Sequence, residues 1–314
     1  MDKSISAIVP CYNEEEIIAK AYNRIVRVLK EITSQSEIIF IDDGSTDNTL
    51  GILTKISQQD RQVKVISLSR NFGKETALSV GLYHCSKDLA IILDADLQDP
   101  PELIPEMLQV YDNNDCNVVF GVRKKRKKES FFKKVTSKIF YRIMRNLSYI
   151  ELPVDSADFK LVDRKILDEY RNFGEKNKYV RGLISWLGFK QVPFYYNRDQ
   201  RIGGKTSFSA ITLARLAFTG ILYFSKKPLD MIVYLGLVCI LVGLILLVYI
   251  FYSVLSPSVQ SASGWASILT TIVFFSGVQL LTLGVIGKYM GNIFDEVKNR
   301  PEYVIKKKLN LEDG

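Results

Sequence analysis

The chain has 314 residues, of which 47% are hydrophobic and 24% are charged, so its length allows one large folded domain and an appendage. The four cysteines form no CxxC pair and there is one histidine, which argues against a zinc site, a redox motif and a His-pair mechanism. The formal net charge is +8, but no nucleic-acid-binding motif accompanies it, so nucleic acid is not an expected partner. A nucleic-acid binder would instead show salt-sensitive binding that needs no divalent metal.

Strands and helices alternate from residue 5 to residue 122. Short apolar runs bounded by polar turns predict strands, and apolar residues at helical spacing between them predict helices. Such repeated units predict an α/β fold whose mostly parallel, Rossmann-like sheet carries helices on both faces, with ligands at the carboxyl ends of the strands. The predicted strands cover 5–9, 37–41, 63–68, 89–93 and 118–122, and the predicted helices cover 14–32, 46–58, 74–85 and 101–111.

A basic segment over residues 123–147 follows the fifth predicted strand. Consecutive basic residues from Arg123 to Lys128 precede an amphipathic stretch from Phe131 to Leu147. A basic amphipathic helix is typical of a membrane surface, but a helix docked on the sheet with a solvated basic face would show the same pattern. Both alternatives stay open from the sequence.

Two long apolar stretches near the C-terminus predict a membrane hairpin. Met231–Val254 and Ser267–Gly287 are each long enough to span a bilayer, and no charged residue occurs from 231 to 287. Lysines flank the outer ends of the hairpin, which predicts a multi-pass protein of the inner or plasma membrane with its main domain and both termini in the cytoplasm. These lysines are Lys226, Lys227, Lys288 and Lys298.

These patterns divide the chain into four parts. We expect a main domain over 1–207, an interfacial helix over 208–228, two transmembrane helices over 229–288 and a cytoplasmic C-terminal tail over 289–314. The second apolar stretch and its continuation also carry small residues that would allow close helix packing, and with it a homo-oligomer, although such residues are ordinary in membrane helices. They are Gly277, Gly284, Gly287 and Gly291.

Two carboxylates follow the fourth predicted strand directly. Asp94 and Asp96, with Gln98 nearby, make an oxygen-rich site suited to Mg²⁺ or Mn²⁺, ions that bind through few carboxylates plus substrate phosphates. An isolated D-x-D pattern also caps helices or fills turns. Here, however, four successive strand ends carry polar motifs at one edge of the predicted sheet, which indicates a cleft. The motifs are Val9 to Glu14, Asp42 to Asp47, Asn71 to Lys74, and Leu93 to Pro101.

Together these motifs resemble glycosyltransferase family two, with the GT-A fold. More narrowly, they resemble the polyprenyl-phosphate sugar transferases, such as dolichyl-phosphate mannose synthase and bacterial polyprenyl-phosphate glucosyltransferases. The resemblance covers nearly the whole chain, including Asp158-Phe159, the segment from Arg201 to Ser207 and the terminal helix pair. It implies inverting transfer of a hexose from a nucleotide diphosphate sugar to undecaprenyl or another polyprenyl phosphate. UDP-glucose is the preferred donor, and UDP-GlcNAc and GDP-mannose stay open.

The resemblance also implies roles for individual residues. The nucleotide sugar would contact Pro10, Tyr12, Glu14, Asp43, Lys74 and Asp94, with Asp43 reading the base. The metal ion would be held by Asp94, Asp96 and Gln98, and the acceptor phosphate by Arg123, Arg126 and Lys205. The catalytic residues would be Asp96, Asp158 and Arg201, with Asp158 an orienting or weakly basic group near the acceptor and Asp155 its alternative.

This sequence departs from the family pattern at two places. The family often has Gly before the Asp-Phe pair, where this chain has Ala157. The later motif commonly reads R-x-x-G-x-S-K, whereas this chain has Lys205, Thr206 and Ser207 in that region, with the lysine displaced.

Two other functions compete with this reading. A processive polysaccharide synthase of the same superfamily would normally carry Q-x-x-R-W and more membrane helices, and this sequence has no Q-x-x-R-W. A catalytically inactive scaffold that binds nucleotide sugars is disfavoured because Asp94, Asp96 and Gln98 are all present. Donor binding without detectable transfer would support the scaffold.

Overall fold

The computed structural model describes residues 3–123, 156–176, 178–198, 227–255 and 264–311. The described residues fall into two units. One unit contains the described residues up to 198 together with 300–311, and the other contains 227–255 and 264–299. The basic segment beyond Arg123 and most of the predicted interfacial helix lie outside the described residues.

A mixed sheet of eight strands forms the centre of the first unit. Its strands are β1 (Ile5–Cys11), β2 (Ser36–Asp42), β3 (Val63–Leu68), β4 (Leu89–Ile92), β5 (Val118–Arg123), β6 (Ser156–Asp163), β7 (Gln191–Tyr196) and β8 (Ile305–Leu309). Their order across the sheet is β7-β5-β6-β4-β1-β2-β3-β8. Strands β3, β2, β1 and β4 run parallel to one another, as do β5 and β7, whereas β6 and β8 are antiparallel to the strands beside them. The predicted mostly parallel sheet is therefore confirmed.

Helices cover both faces of this sheet, also as predicted. They are α1 (Ile18–Ile32), α2 (Thr49–Gln59), α3 (Lys74–His84), α4 (Ile104–Asn114), α5 (Arg164–Arg171) and α6 (Val180–Trp186), with a 3₁₀ turn at Pro101–Leu103. On one face, Ala7 and Val9 pack in a core with Ile25 of α1. On the other face, Ile8 and Ile41 lie against Gly81 of α3. Burial on both faces explains why the strands are almost uninterrupted apolar runs.

Two helices begin later than the sequence pattern predicted. Helix α1 begins at Ile18 and α2 at Thr49, because the preceding residues are used in loops at the strand ends. Asn13 has a φ of 54°, and the Glu14 N–H donates to the Thr49 hydroxyl at 2.9 Å. Because apolar periodicity does not reveal such loop contacts, both predicted helices began several residues too early.

Strands β6, β7 and β8 and helices α5 and α6 were not predicted from the sequence. Strand β8 is the one that falls within the predicted C-terminal tail. It pairs with the β3 edge, with Val65 opposite Leu309. The Asn310 side-chain amide then donates to the carbonyl oxygens of Ser57 at 2.6 Å and Val63 at 2.8 Å. The strand is short and its lysines are exposed, which suits a sheet edge but leaves little apolar signal in the sequence. Part of the predicted C-terminal tail therefore belongs to the sheet.

The second unit contains two long helices, α7 (Lys227–Leu255) and α8 (Trp265–Val297). By length and composition, a stretch of each helix could cross a membrane. In α7 this stretch is Lys227–Ile245, with a mean hydropathy of 2.3, and in α8 it is Thr271–Val297, with a mean hydropathy of 1.5. Their described apolar side chains are mostly exposed, which a helix in the core of a soluble domain would not show. The helices contain the two predicted spans, and α8 continues beyond the predicted end.

Gly81 provides a test of the contact between α3 and the sheet. A Cβ at Gly81 would lie closer than 3.0 Å to the Ile8 side chain and 2.9 Å from Ile41 Cδ1, whereas a Cβ at Gly174 would meet no atom within 4 Å. Because this core is closely packed, we expect Gly81→Ala to destabilise the first unit by about 1–3 kcal/mol. Gly174→Ala is the control and should unfold like the unaltered chain. Equal thermal unfolding midpoints for the two variants would contradict the described packing.

Candidate active site

The carboxyl ends of the central parallel strands meet at one edge of the sheet, where loops from different strands are joined by hydrogen bonds. Asn13, after β1, donates through its N–H to Ser45 Oγ at 3.0 Å and accepts from the Thr46 N–H at 2.8 Å. Asp42, at the end of β2, accepts from the Ser45 N–H at 3.1 Å and from Ser67 Oγ at 2.8 Å. At the predicted cleft edge, side chains thus hold the loops after β1 and β2 in place through hydrogen bonds.

Asp43 joins the end of β2 to the loop before α3. It is 4% exposed, and its two carboxylate oxygens accept from the N–H groups of Phe72 at 2.7 Å and Gly73 at 2.9 Å. Burial raises the pKa of Asp43 despite these hydrogen bonds. Gly44 follows with a φ of 67° and lies so close to the Arg70 backbone that a Cβ would clash. The predicted contact of Asp43 with a base stays a prediction, because here both oxygens already hold a loop.

The three residues predicted to line a nucleoside pocket lie at the end of β1. Pro10 is buried within the strand. Tyr12 is 43% exposed and directly follows β1. Glu14 is half-buried, and its backbone N–H is fixed by Thr49. Of the three, Tyr12 is the side chain that solvent reaches most easily.

A chain of ion pairs connects four elements at this edge. Lys74 Nζ, at the start of α3, lies 2.5 Å from Asp94 Oδ1 and 2.8 Å from Asp158 Oδ2. Asp94 follows β4, and Asp158 lies on β6. Arg181 Nε, on α6, lies 2.5 Å from the other oxygen of Asp158. Three of the predicted site residues are therefore in direct contact, together with an arginine that the sequence analysis did not select.

The two cations determine the ionisation of Asp158. Burial alone would raise the pKa of this carboxyl, but Lys74 and Arg181 outweigh burial and hold the pKa well below its ordinary value. Burial would likewise lower the pKa of Lys74, but Asp94 and Asp158 raise it above its ordinary value. Asp158 is thus ionised near neutral pH and has both oxygens occupied, which suits an orienting carboxylate better than a proton acceptor.

A second layer of charge lies behind these ion pairs. Glu75, next to Lys74, accepts from the N–H of Val180 at 2.9 Å and so holds the start of the helix that carries Arg181. Lys160 on β6 is 1% exposed, and burial together with nearby Arg181 lowers its pKa to about 8, although Asp158 and Glu75 oppose this. The first turn of α3 therefore fixes both cations that flank Asp158.

The loop after β4 is held by a second group of charges. Asp96 Oδ1 accepts from the Gln98 N–H at 3.1 Å, across a turn at Leu97 with a φ of 55°. Asp99 is 1% exposed, and its Oδ1 accepts from the Tyr196 hydroxyl at 2.5 Å. Burial raises the pKa of Asp99, while its hydrogen bond from Tyr196 opposes the rise. The buried carboxylate thus ties the loop to β7.

Two arginines lie near Asp99, and one of them, Arg198, also approaches Asp96. Arg198 Nε lies 3.2 Å from Asp99 Oδ1, and one of its terminal nitrogens lies 4.0 Å from Asp96 Oδ2. Arg123, which was predicted to bind the acceptor phosphate, has a terminal nitrogen 3.9 Å from Asp99 Oδ2. Arg198 thus lies beside the predicted metal ligand Asp96, whereas Arg123 lies near Asp99, and the forked donors of both guanidinium groups suit phosphate oxygens.

Sequence reasoning missed Arg181, Arg198, Asp99 and Tyr196 as functional residues. Arg198 lies three positions before the selected Arg201, in the same polar stretch after β7, so proximity to that motif was a usable signal. Arg181 had no such signal, because its partner is distant in the sequence. Several predicted residues lie outside the described part of the chain, namely Arg126, Asp155, Arg201 and Lys205.

The donor set fits a divalent ion that arrives with a phosphate ligand. Within the described residues, no group of three or more His, Cys, Asp or Glu side chains could hold a metal ion. Asp94 and Asp96 are nonetheless two residues apart in one loop, and their side chains are 16% and 15% exposed. Mg²⁺ and Mn²⁺ sites often use one or two carboxylates, with phosphate oxygens and water as the remaining ligands. Gln98 contacts this site through its backbone amide.

Comparison with known proteins supplies the family. The sequence model of the family described as "Glycosyl transferase family 2" matches residues 6–171. The chain is 41% identical to the uncharacterized glycosyltransferase YkcC of Bacillus subtilis, over 98% of this chain and 95% of that protein. It is 37% identical to the SfII prophage-derived bactoprenol glucosyl transferase of Shigella flexneri, over 96% of this chain and 97% of that protein. These likenesses extend through both long apolar helices.

Replacing Asp158 by Asn tests the ion-pair chain. The substitution keeps the shape of the side chain but removes the charge that Lys74 and Arg181 share, so we expect a loss of about 3 kcal/mol in unfolding free energy at pH 7. Thermal unfolding of the detergent-solubilised protein measures the effect. Asp168→Asn, at a carboxylate that is 55% exposed, is the control and should change stability by less than about 1 kcal/mol.

The pH dependence of that difference follows from the lowered pKa of Asp158. Because the folded-state pKa lies below the ordinary value of 3.8, the contribution of the charge is fully present above that value and is lost as the pH falls towards the folded-state pKa. We expect the stability gap between the unaltered chain and Asp158→Asn to be constant from about pH 5 to pH 8 and to narrow below about pH 4. A gap that already narrows between pH 7 and pH 5 would contradict a lowered pKa.

Proposed function

The chain belongs to glycosyltransferase family 2, and from that membership we propose that it transfers a hexose from a nucleotide diphosphate sugar to a polyprenyl phosphate. The observation that carries the proposal is the full-length likeness to a protein named bactoprenol glucosyl transferase, which includes the region of the apolar helices. We further propose UDP-glucose as the donor and undecaprenyl phosphate as the acceptor. UDP-GlcNAc and GDP-mannose are the alternative donors that the experiment below distinguishes.

The reaction is a single displacement at the anomeric carbon of the sugar. An oxygen of the acceptor phosphate forms the new bond to that carbon while the bond to the nucleotide diphosphate breaks, and the diphosphate leaves with the bonding electron pair. The attack occurs opposite the leaving group, so an α-linked donor gives a β-linked lipid product. The acceptor is already anionic near neutral pH, so the step needs no proton acceptor.

This chemistry explains why Asp158 can be fully paired. A carboxylate held by Lys74 and Arg181 fixes two cations in position but does not have to remove a proton. Of these two cations, Arg181 would attract the acceptor phosphate and hold its oxygen in line with the anomeric carbon. Positioning of this kind, with charge stabilisation, can supply most of the rate enhancement in such a displacement.

The leaving diphosphate gains negative charge as its bond breaks, and the opposite edge of the site supplies the compensating charge. Arg198, which lies near Asp99 and approaches Asp96, is the described guanidinium group that we propose contacts the diphosphate, and Arg123 stays a proposed contact of the acceptor phosphate. Asp94 and Asp96 would hold Mg²⁺ or Mn²⁺. When bound, such an ion stabilises the charge that develops on the leaving diphosphate. Arg201, Arg126 and Lys205 stay proposed phosphate contacts on the resemblance alone.

The membrane arrangement suits a lipid acceptor. The chain leaves the sheet-bearing unit before the two long helices and returns to it at β8, which is a strand of the same sheet. If both helices cross a bilayer, they form a hairpin whose two outer ends lie on one side of it, because two crossings return the chain to the side from which it started. The lysines at those ends indicate the cytoplasmic side of the cell membrane, where we propose that the domain meets the phosphate head of its acceptor.

Transfer from a panel of radiolabelled donors tests the proposed function. The purified full-length protein in detergent is supplied with undecaprenyl phosphate, Mg²⁺ or Mn²⁺, and either UDP-glucose, UDP-GlcNAc or GDP-mannose. We expect organic-extractable label from UDP-glucose and its loss on chelation. Asp96→Ala should reduce the rate by about 100-fold or more, because it removes a charge that holds the metal and diphosphate.

Asp112→Ala is the matched control, because Asp112 is 55% exposed and lies on α4, outside the cleft residues. It should retain the rate of the unaltered chain. Product from UDP-GlcNAc or GDP-mannose alone would correct the donor but keep the reaction. Binding of donor with no lipid product from any of the three would contradict the proposed transfer.

A further inference from the structure

Lys74 occupies a carboxylate oxygen that a divalent ion would also need. Its ammonium lies 2.5 Å from Asp94 Oδ1, and within the described part of the chain it is the one cation that pairs with Asp94. Arg198 approaches Asp96, the other carboxylate of the pair, only to 4.0 Å. An ion bound by Asp94 would therefore compete mainly with Lys74.

Lys74 is placed so that it can exchange partners. Its side chain is 44% exposed, so solvent and a cleft ligand can reach it. Its second partner, Asp158, keeps Arg181 at 2.5 Å when Lys74 moves, so that carboxylate would not be left without a counter-charge. Asp94, by contrast, needs a new cation if Lys74 departs, because an unpaired and largely buried carboxylate is unfavourable.

We propose that Lys74 is a resident counter-ion that holds Asp94 in the absence of nucleotide and gives up this carboxylate when a divalent ion enters together with the donor diphosphate. The released ammonium then pairs with the diphosphate. This inference rests on the proposed function, since it assumes that the cleft takes a nucleotide diphosphate. It makes Lys74 a positioning residue that couples metal binding to nucleotide binding.

The coupling has a consequence that a purely structural lysine would not produce. Before nucleotide binds, the ion must displace Lys74 from Asp94, so the lysine weakens binding of the ion alone. After nucleotide binds, the lysine neutralises part of the diphosphate charge, so it strengthens nucleotide binding. Removing Lys74 should therefore change the two affinities in opposite directions.

The experiment measures Mn²⁺ binding to the full-length protein in detergent from the free Mn²⁺ signal in electron paramagnetic resonance, without nucleotide, and UDP binding at saturating Mn²⁺ by calorimetry. For Lys74→Met, we expect about fivefold tighter binding of Mn²⁺ alone and about fivefold weaker binding of UDP, the factor expected for the loss of a partly exposed ion pair. Lys74→Gln should behave similarly and replaces Lys74→Met if that variant does not fold.

Two controls separate this exchange from a general charge effect. Arg70→Met removes an exposed cation in the loop before α3 that donates to the Asn71 carbonyl, and Lys55→Met removes an exposed cation on α2. Both should leave the affinity for Mn²⁺ alone within about twofold of the unaltered chain, because screening weakens distant charges. A similar tightening in Arg70→Met would indicate a general effect and overturn the proposal.

The results also distinguish this proposal from the proposed function. Equal or weaker binding of Mn²⁺ alone by the Lys74 variants would overturn the counter-ion role, even if the unaltered chain transfers glucose to lipid. Opposite shifts in the two affinities would support it, even if no lipid product forms from any donor. Failure of the unaltered chain to bind Mn²⁺ with or without UDP would overturn the exchange itself.

Discussion

The contact on which the rest of the site depends is the pairing of Asp158 with Lys74 and Arg181. The three residues come from β6, α3 and α6, elements that are distant in the sequence and meet at one edge of the sheet. Because Lys74 also reaches Asp94, this one set of ion pairs links the predicted metal carboxylates to the predicted acceptor side. Loss of the buried carboxylate or of either cation would leave a charge without its partner and would lower the free energy of unfolding. The pairing therefore requires β6, α3 and α6 to stay close together.

The same constraint shapes the chemistry. The pairing keeps Asp158 ionised and occupied, which fits a displacement whose nucleophile is already charged and needs orientation more than deprotonation. On the opposite side, the buried carboxylate of Asp99 lies 3.2 Å from Arg198 and 3.9 Å from Arg123, in ion pairs that are longer than those of Asp158. The site is therefore built from carboxylates that position cations. Such preorganised charge is what a reaction between two phosphate-bearing substrates requires.

Much of the fold and part of the site could be predicted from the sequence. Apolar runs followed by polar motifs located the ends of four strands, and the order of those motifs placed Asp43, Lys74, Asp94 and Asp96 at one edge of the sheet. Strand β8 escaped prediction because three exposed lysines at a sheet edge carry almost no apolar pattern. Arg181 and Asp99 escaped because their roles come from contacts with residues far away in the chain, and periodicity reports only local structure. Asp43 shows the converse limit, since its position was predicted but its hydrogen bonds to a neighbouring loop were not.

An experimental structure of the full-length protein with Mn²⁺ and UDP tests the central claim most directly, because the anomalous scattering of manganese locates the ion without ambiguity. We expect an ion bound by Asp94 and Asp96 together with diphosphate oxygens. We also expect Lys74 to have turned from Asp94 towards the diphosphate, with Asp158 still paired with Arg181. An ion bound elsewhere, or a Lys74 ammonium that still contacts Asp94 beside the bound ion, would contradict it.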